Sequence, residues 1–213
     1  MRLFLSSYGL SNQPERLFAL LGENKRVALV TNASDYHDEA GILERVEKDK
    51  AMFAEFGLTL ERFDLRDYFA DSSSLEADLT KFGLIWVRGG NSFVLRRAMA
   101  QSGFDKAIKK LLSADALVYG GYSAGACVLS PTLHGVDLCD DPTVVPPSYN
   151  KEILWDGLNM INFGIAPHYK SDHPESDLID RVVEYFEHHH MPYEALKDGE
   201  AIVIEGDIQE RLS

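Results

Sequence analysis

Cysteine is scarce in this 213-residue chain: only Cys127 and Cys139 occur, and neither has metal-ligand spacing. No disulfide framework or thiolate metal site is expected, and a reduced, cytoplasmic setting is. Clusters of basic residues are missing as well. With 21 Lys and Arg against 34 Asp and Glu, the net charge is −13. That field repels phosphate backbones, so nucleic acid is not an expected partner. No apolar run approaches the roughly 18 residues of a membrane span. The opening "MRLFLSSYGL" is too short for a signal-peptide core and reads as a first buried strand, so no membrane partner is expected either. Repeats, linkers and low-complexity tracts are absent, and residues 1–213 read as one domain.

What is present alternates between two periodicities. "RVALVTNAS" is a β-branched run ending in turn formers, and 38–56 places Ile42, Val46, Phe53 and Phe56 at helical spacing before Gly57. "LTLERFDL", "LIWVRGG" and "ALVYGG" read as further strands, each followed by a helical segment; "SDLIDRVVEYFEHHH" is a late amphipathic helix and "EAIVIEG" a closing strand. This pattern predicts an α/β domain with a mainly parallel sheet and helices on both faces. Chemistry in such folds gathers at the carboxyl ends of the strands. Residues 131–167, with Pro131, Pro142, Pro146, Pro147 and Pro167, lose periodicity and read as a long irregular excursion.

Residues 118–131, "VYGGYSAGACVLSP", hold a G-x-S-x-G sequence between a strand and a helix. Small neighbours let strand and helix approach closely and force the central residue into a strained turn that exposes its hydroxyl. Ser123 is therefore the candidate nucleophile, and the Ala124 amide a candidate oxyanion donor. One βα unit earlier, "VRGGNSFVL" has the same form. Its Gly90 amide is a second candidate oxyanion donor, while Asn91 and Ser92 can cap the next helix. Asn91 is also a candidate substrate contact. The loop has neither G-x-G-x-x-G spacing nor a Walker lysine, which argues against phosphate binding.

A serine nucleophile needs a base, usually a histidine oriented by a carboxylate. Of the seven histidines, His168 in "FGIAPHYKSD" falls at a strand end. His188, His189 and His190 read as a solvated helix terminus. His37, His134 and His173 sit in loops without distinguishing context. The acids between Ser123 and His168 are Asp137, Asp140 and Asp141, in "GVDLCDDPTVVPP".

Taken together, "GYSAGA", the upstream "GGNSF-VL", an acidic D-x-P and a "PH" about 45 residues past the serine resemble peptidase family S51, from about Arg2 to Gly206. This is the aspartyl dipeptidase (peptidase E) and cyanophycinase group. The resemblance implies a three-layer, flavodoxin-like fold similar to class I glutamine amidotransferases, with serine in place of their cysteine. It implies Ser123 as nucleophile, His168 as base, and Gly90 and Ala124 as oxyanion donors. The acid would be Asp140, with Asp141 next in line. The activity implied is hydrolysis of dipeptides or short peptides through an acyl-enzyme, without metal or cofactor; a homodimer is compatible with it. Two other readings are an α/β-hydrolase esterase drawing its base from His188–His190, and a fold that only binds. One departure concerns specificity. The aspartyl dipeptidases carry an arginine after the catalytic histidine, where it holds the substrate's aspartate. Here that segment is acidic, with Asp172, Glu175 and Asp177; Arg181 falls about one turn away, and Lys170 is a poor replacement for a bidentate guanidinium. A strong aspartate preference is therefore not expected.

Overall fold

The apolar runs of the amino-terminal half line up as neighbours in one sheet. The computed structural model describes residues 1–213. Its strands are β1 (Arg2–Ser6), β2 (Arg26–Val30), β3 (Thr59–Arg62), β4 (Leu84–Val87), β5 (Val118–Tyr122), β6 (Gly164–Ala166), β7 (Tyr193–Ala195), β8 (Ala201–Glu205) and β9 (Ile208–Leu212). The helices are α1 (Pro14–Ala19), α2 (Glu39–Ala54), α3 (Leu75–Leu79), α4 (Ser92–Ser102), α5 (Phe104–Ser113), α6 (Ala124–Cys127) and α7 (Ser176–His188). The main sheet has seven strands in the order β3-β2-β4-β5-β1-β8-β9. β1 to β5 pair in parallel, whereas β8 runs antiparallel to β1 and β9 antiparallel to β8. β6 and β7 form a separate parallel pair.

Every residue of β4 and β5 is buried, as expected where helices cover both faces of a parallel sheet. Alternate residues of a strand go to opposite faces, and they feed two cores. Phe4, Leu29 and Trp86 pack with Leu17 of α1 and with Ile42, Val46 and Phe53 of α2. Leu5, Val30 and Val87 pack with Val94, Leu95, Ile108 and Leu112 of α4 and α5. The result is the three-layer α/β architecture the sequence pattern predicts.

The excursion over 131–167 is irregular, apart from β6, yet tethered. Arg97 of α4 is 1% exposed. It donates to the carbonyls of Glu152 (2.8 Å), Val144 (3.1 Å) and Pro142 (2.7 Å), satisfying its guanidinium and holding the excursion against α4. Three elements were not anticipated: α1, β7 and β9. β9 follows β8 through Gly206 and Asp207, with Gly206 at φ +59. Four of its five residues are exposed, so no apolar alternation announces it. No helix is long and apolar enough to cross a membrane.

Candidate active site

The sheet order sets the site. β4, β5 and β1 are consecutive and parallel, so their carboxyl ends open side by side. Gly89 and Gly90 follow β4, Ser123 follows β5, and Ser7 follows β1. β8 runs the other way, with Ala201 opposite Ser6, so the residues just before β8 arrive at the same edge. That reversal delivers Asp198.

Ser123 has φ 51° and ψ −120°, the strained elbow read from the sequence. Its N–H donates to the Ser6 carbonyl at 3.2 Å, tying the elbow to the end of β1. A Cβ on Gly125 would lie 2.3 Å from the Val87 carbonyl oxygen, so only glycine lets α6 start this close to β4. Gly90 has φ +142°, open to glycine alone, and its N–H donates to no group of the protein. Ala124 opens α6, and the first N–H groups of a helix have no partner within it. Gly90, Ser123 and His168 line one cavity, together with Tyr8, Tyr122 and His173.

His168 is 2% exposed, with φ +59°. Its Nδ1 lies 2.7 Å from Asp198 Oδ1. A carboxylate only accepts, so the Nδ1 carries the proton and Nε2 is left as the basic nitrogen. Ser7 binds both partners: its hydroxyl donates to Asp198 Oδ1 at 2.7 Å and accepts from the His168 N–H at 2.7 Å. The Asp198 N–H in turn donates to Ser171 Oγ at 2.8 Å. Burial pulls the His168 pKa below the ordinary histidine value, Asp198 pushes it back up, and His173 opposes protonation. The ring is thus neutral at neutral pH, the form a base requires.

The carboxylate on His168 is therefore not one of those the sequence suggested. Asp140 Oδ2 accepts from the Ser92 N–H at 2.8 Å, serving the amino terminus of α4. Burial first, and Glu175 nearby, push its pKa up to about 6 against the pull of Ser92. Asp141 turns back on Thr143, accepting from its N–H at 2.8 Å and its hydroxyl at 2.7 Å. Asn91 does not line the cavity; its Oδ1 caps α4 through the Phe93 and Val94 amides at 2.9 and 3.0 Å, and its Nδ2 donates to the Asp141 carbonyl at 2.9 Å. Nor does the late histidine cluster reach the cavity. His188, His189 and His190 are exposed at the carboxyl end of α7, which removes the base an esterase reading would need.

Sequence reasoning missed more than Asp198. His173 stacks on His168, ring centroids 3.7 Å apart and planes 7° from parallel, and Tyr8 meets His168 edge-on. Donor atoms of His168, His173 and Glu175 lie within 4.8 Å of one another. Two stacked rings make a poor chelate, because an ion in the plane of one imidazole stands well out of the plane of the other. The cavity's cations also come from unforeseen places. Arg45 and Lys48 reach it from α2 and Arg88 from the end of β4, whereas Arg181 and Lys170 are not among its lining. Arg88 is already engaged: Nε donates to the Tyr122 hydroxyl at 2.9 Å and NH1 lies 3.3 Å from Asp49.

Comparison with known proteins places this arrangement. The model of peptidase family S51 matches residues 4–212. An uncharacterised peptidase of Listeria monocytogenes is 28% identical over 193 residues, 90% of this chain and 88% of its own length. Peptidase E of Streptomyces coelicolor is 32% identical over 136 residues, 62% of this chain and 52% of its own. The crystal structure of a proposed peptidase E from Listeria monocytogenes superposes with a TM-score of 0.76 at 27% identity, covering 100% of this chain and 98% of that one. A buried histidine bonded to a half-buried carboxylate, in the cavity that the serine elbow lines and on a scaffold shared from end to end, thus accompanies a family match over nearly the whole chain: the protein belongs to peptidase family S51.

Proposed function

We propose that the protein is a serine peptidase that hydrolyses dipeptides or short peptides, a reading supported by its family match and by a relative named probable alpha-aspartyl dipeptidase. The observation that carries the proposal is the 2.7 Å contact of His168 Nδ1 with Asp198, in the cavity that Ser123 lines. Ser123 Oγ attacks the scissile carbonyl carbon, and His168 Nε2 takes the hydroxyl proton as the C–O bond forms. Asp198 holds the imidazole in the Nδ1–H tautomer and stabilises the cation. The Gly90 and Ala124 amides receive the developing oxyanion. His168 then hands the proton to the leaving amine nitrogen as the C–N bond breaks. Water attacks the acyl-enzyme by the same route, releasing the acid and restoring Ser123. No step calls for a metal or cofactor. Free Cys127 and Cys139 suit a reducing cytoplasm.

The test is labelling with a fluorophosphonate probe alongside dipeptide hydrolysis. Wild type should label at one serine and hydrolyse; Ser123→Ala should do neither while keeping its thermal transition. Undiminished labelling of Ser123→Ala would remove Ser123 from the role.

A further inference from the structure

The Gly90 N–H shares one peptide plane with the Gly89 carbonyl. In a trans peptide these two bonds point in opposite directions, so whatever holds the carbonyl also aims the N–H. The strand order β2-β4-β5 puts the loops after β2 and β5 on either side of this peptide. On the β2 side, the Ser34 hydroxyl donates to the Gly89 carbonyl at 3.4 Å. On the β5 side stands the nucleophile: a Cβ on Gly89 would lie 3.0 Å from the Ser123 Cβ.

The next peptide is held from the same place. The Asn91 N–H donates to the Ala33 carbonyl at 2.8 Å, and a Cβ on Gly90 would lie 2.5 Å from that oxygen. Ala33 and Ser34 belong to one 3₁₀ turn, Asn32–Ser34, which the fully buried Asn32 side chain secures. Asn32 Nδ2 donates to Asp35 Oδ2 at 2.8 Å and to Asp64 Oδ1 at 2.9 Å, while its Oδ1 accepts from the Leu65 N–H at 3.1 Å. The turn is thereby bonded to the chain beyond β3. Through the Tyr149 hydroxyl, which donates to Asp35, it is bonded to the excursion as well.

Between two glycines no Cβ resists rotation of the peptide plane. Turned over, the plane would present the Gly89 carbonyl oxygen to the developing oxyanion, and attraction would become repulsion. The Asn91 bond acts one peptide later and leaves this plane free to turn. No group of the protein other than Ser34 donates to the Gly89 carbonyl. We propose that Ser34 is a positioning residue of the oxyanion hole: its hydroxyl holds the Gly89 carbonyl towards β2, so that the Gly90 N–H faces the oxygen of the carbonyl under attack. Ser34 acts through Gly90 rather than on the substrate, so its influence falls on kcat and leaves both KM and the titration of His168 alone. The inference rests on Ser123 as the nucleophile and Gly90 as a donor.

The test compares wild type with Ser34→Ala, Ser34→Thr and Ser34→Cys. It measures kcat and KM on alanyl-alanine, affinity for the boronic acid analogue of alanine, and the Gly90 amide resonance in protein labelled with 15N-glycine. The boronic acid adds to the serine oxygen as a tetrahedral anion, so it reports on the oxyanion hole directly. Losing an oxyanion donor outright costs about 10²–10³-fold in kcat, and losing its brace is expected to cost about 10-fold. In Ser34→Ala, boronic acid affinity should fall by the same factor, with KM within about 2-fold of wild type. The acid limb of the pH profile should stay in place, and the Gly90 resonance should broaden or split. Ser34→Thr keeps the hydroxyl and should retain at least about half of kcat. Ser34→Cys, whose thiol donates only weakly, should behave as Ser34→Ala does and replaces it if alanine unsettles the fold. Unchanged kcat and boronic acid affinity in the alanine and cysteine variants overturn the inference. So does a loss carried by KM, a displaced acid limb, or a threonine variant that loses as much as alanine. A wild type that neither labels with fluorophosphonate nor binds the boronic acid would instead defeat the nucleophile reading, and the inference with it.

Discussion

His173 lies flat against His168, the two rings 3.7 Å apart between centroids. Neither ring gains a hydrogen bond from the contact. It affects the titration of the base: the face of His168 is shielded from water, and a second imidazolium beside it is disfavoured.

Replacing His173 with alanine should therefore move the acid limb of the kcat/KM profile to higher pH. Burial is the largest cause of the depressed His168 pKa, and His173 adds to it while Asp198 opposes. Removing His173 hydrates the ring and deletes the like charge, and both changes favour the protonated, inactive form. A limb that stays in place or moves to lower pH would show that His173 has no such influence.

Asp198→Asn should lower kcat by about 10³-fold or more, since an amide cannot hold the Nδ1–H tautomer as a carboxylate does. Ser7→Ala should act in the same direction but more weakly, about 10-fold in kcat with little change in KM. It removes the hydroxyl that donates to Asp198 and accepts from the His168 N–H. Steady-state kinetics on a free dipeptide decide both. Near wild-type turnover in Asp198→Asn would return the orienting role to another acid.

Aspartate at the amino terminus of the substrate should be preferred over alanine by less than about 100-fold, a ceiling of about 2.7 kcal/mol. Arg88 is committed to Tyr122 and Asp49, and Arg45 and Lys48 are exposed. Solvent-exposed ion pairs contribute only about 0–1 kcal/mol. Ratios of kcat/KM on matched Asp-X and Ala-X dipeptides measure this, and a larger ratio would require a buried cation.

The parts of the site that were legible in the sequence are those made by local chemistry. Gly89, Gly90, Gly121 and Gly125 announce two tight βα turns because close backbone approach needs glycine wherever it occurs. His168 was legible for a similar reason, as a polar residue ending a buried strand. Asp198 carries no local mark: in "LKDGEAIV" it reads as part of a turn. Its place beside Ser7 and His168 follows from the antiparallel entry of β8, a fact of topology that no spacing encodes. The same limit explains the misplaced acids. Asp140 and Asp141 lie between serine and histidine in the chain, but the excursion is pinned to α4 through Arg97 and Asn91, and it carries them to the helix terminus. His173, five residues beyond His168, falls back onto it only because the loop curls. In the fold, β9 escaped notice because an edge strand with both faces wet has no period to read.

The reversed entry of β8 has a temporal side. A ribosome makes the elbow, Gly90, Ala124 and His168 well before it makes Asp198, which lies just ahead of β8, the strand that pairs with β1. A nascent chain that has passed His168 but not reached Asp198 carries the serine and the histidine without the carboxylate that His168 bonds. Under the proposed mechanism, a chain stalled or clipped before Asp198 lacks the carboxylate that orients its base.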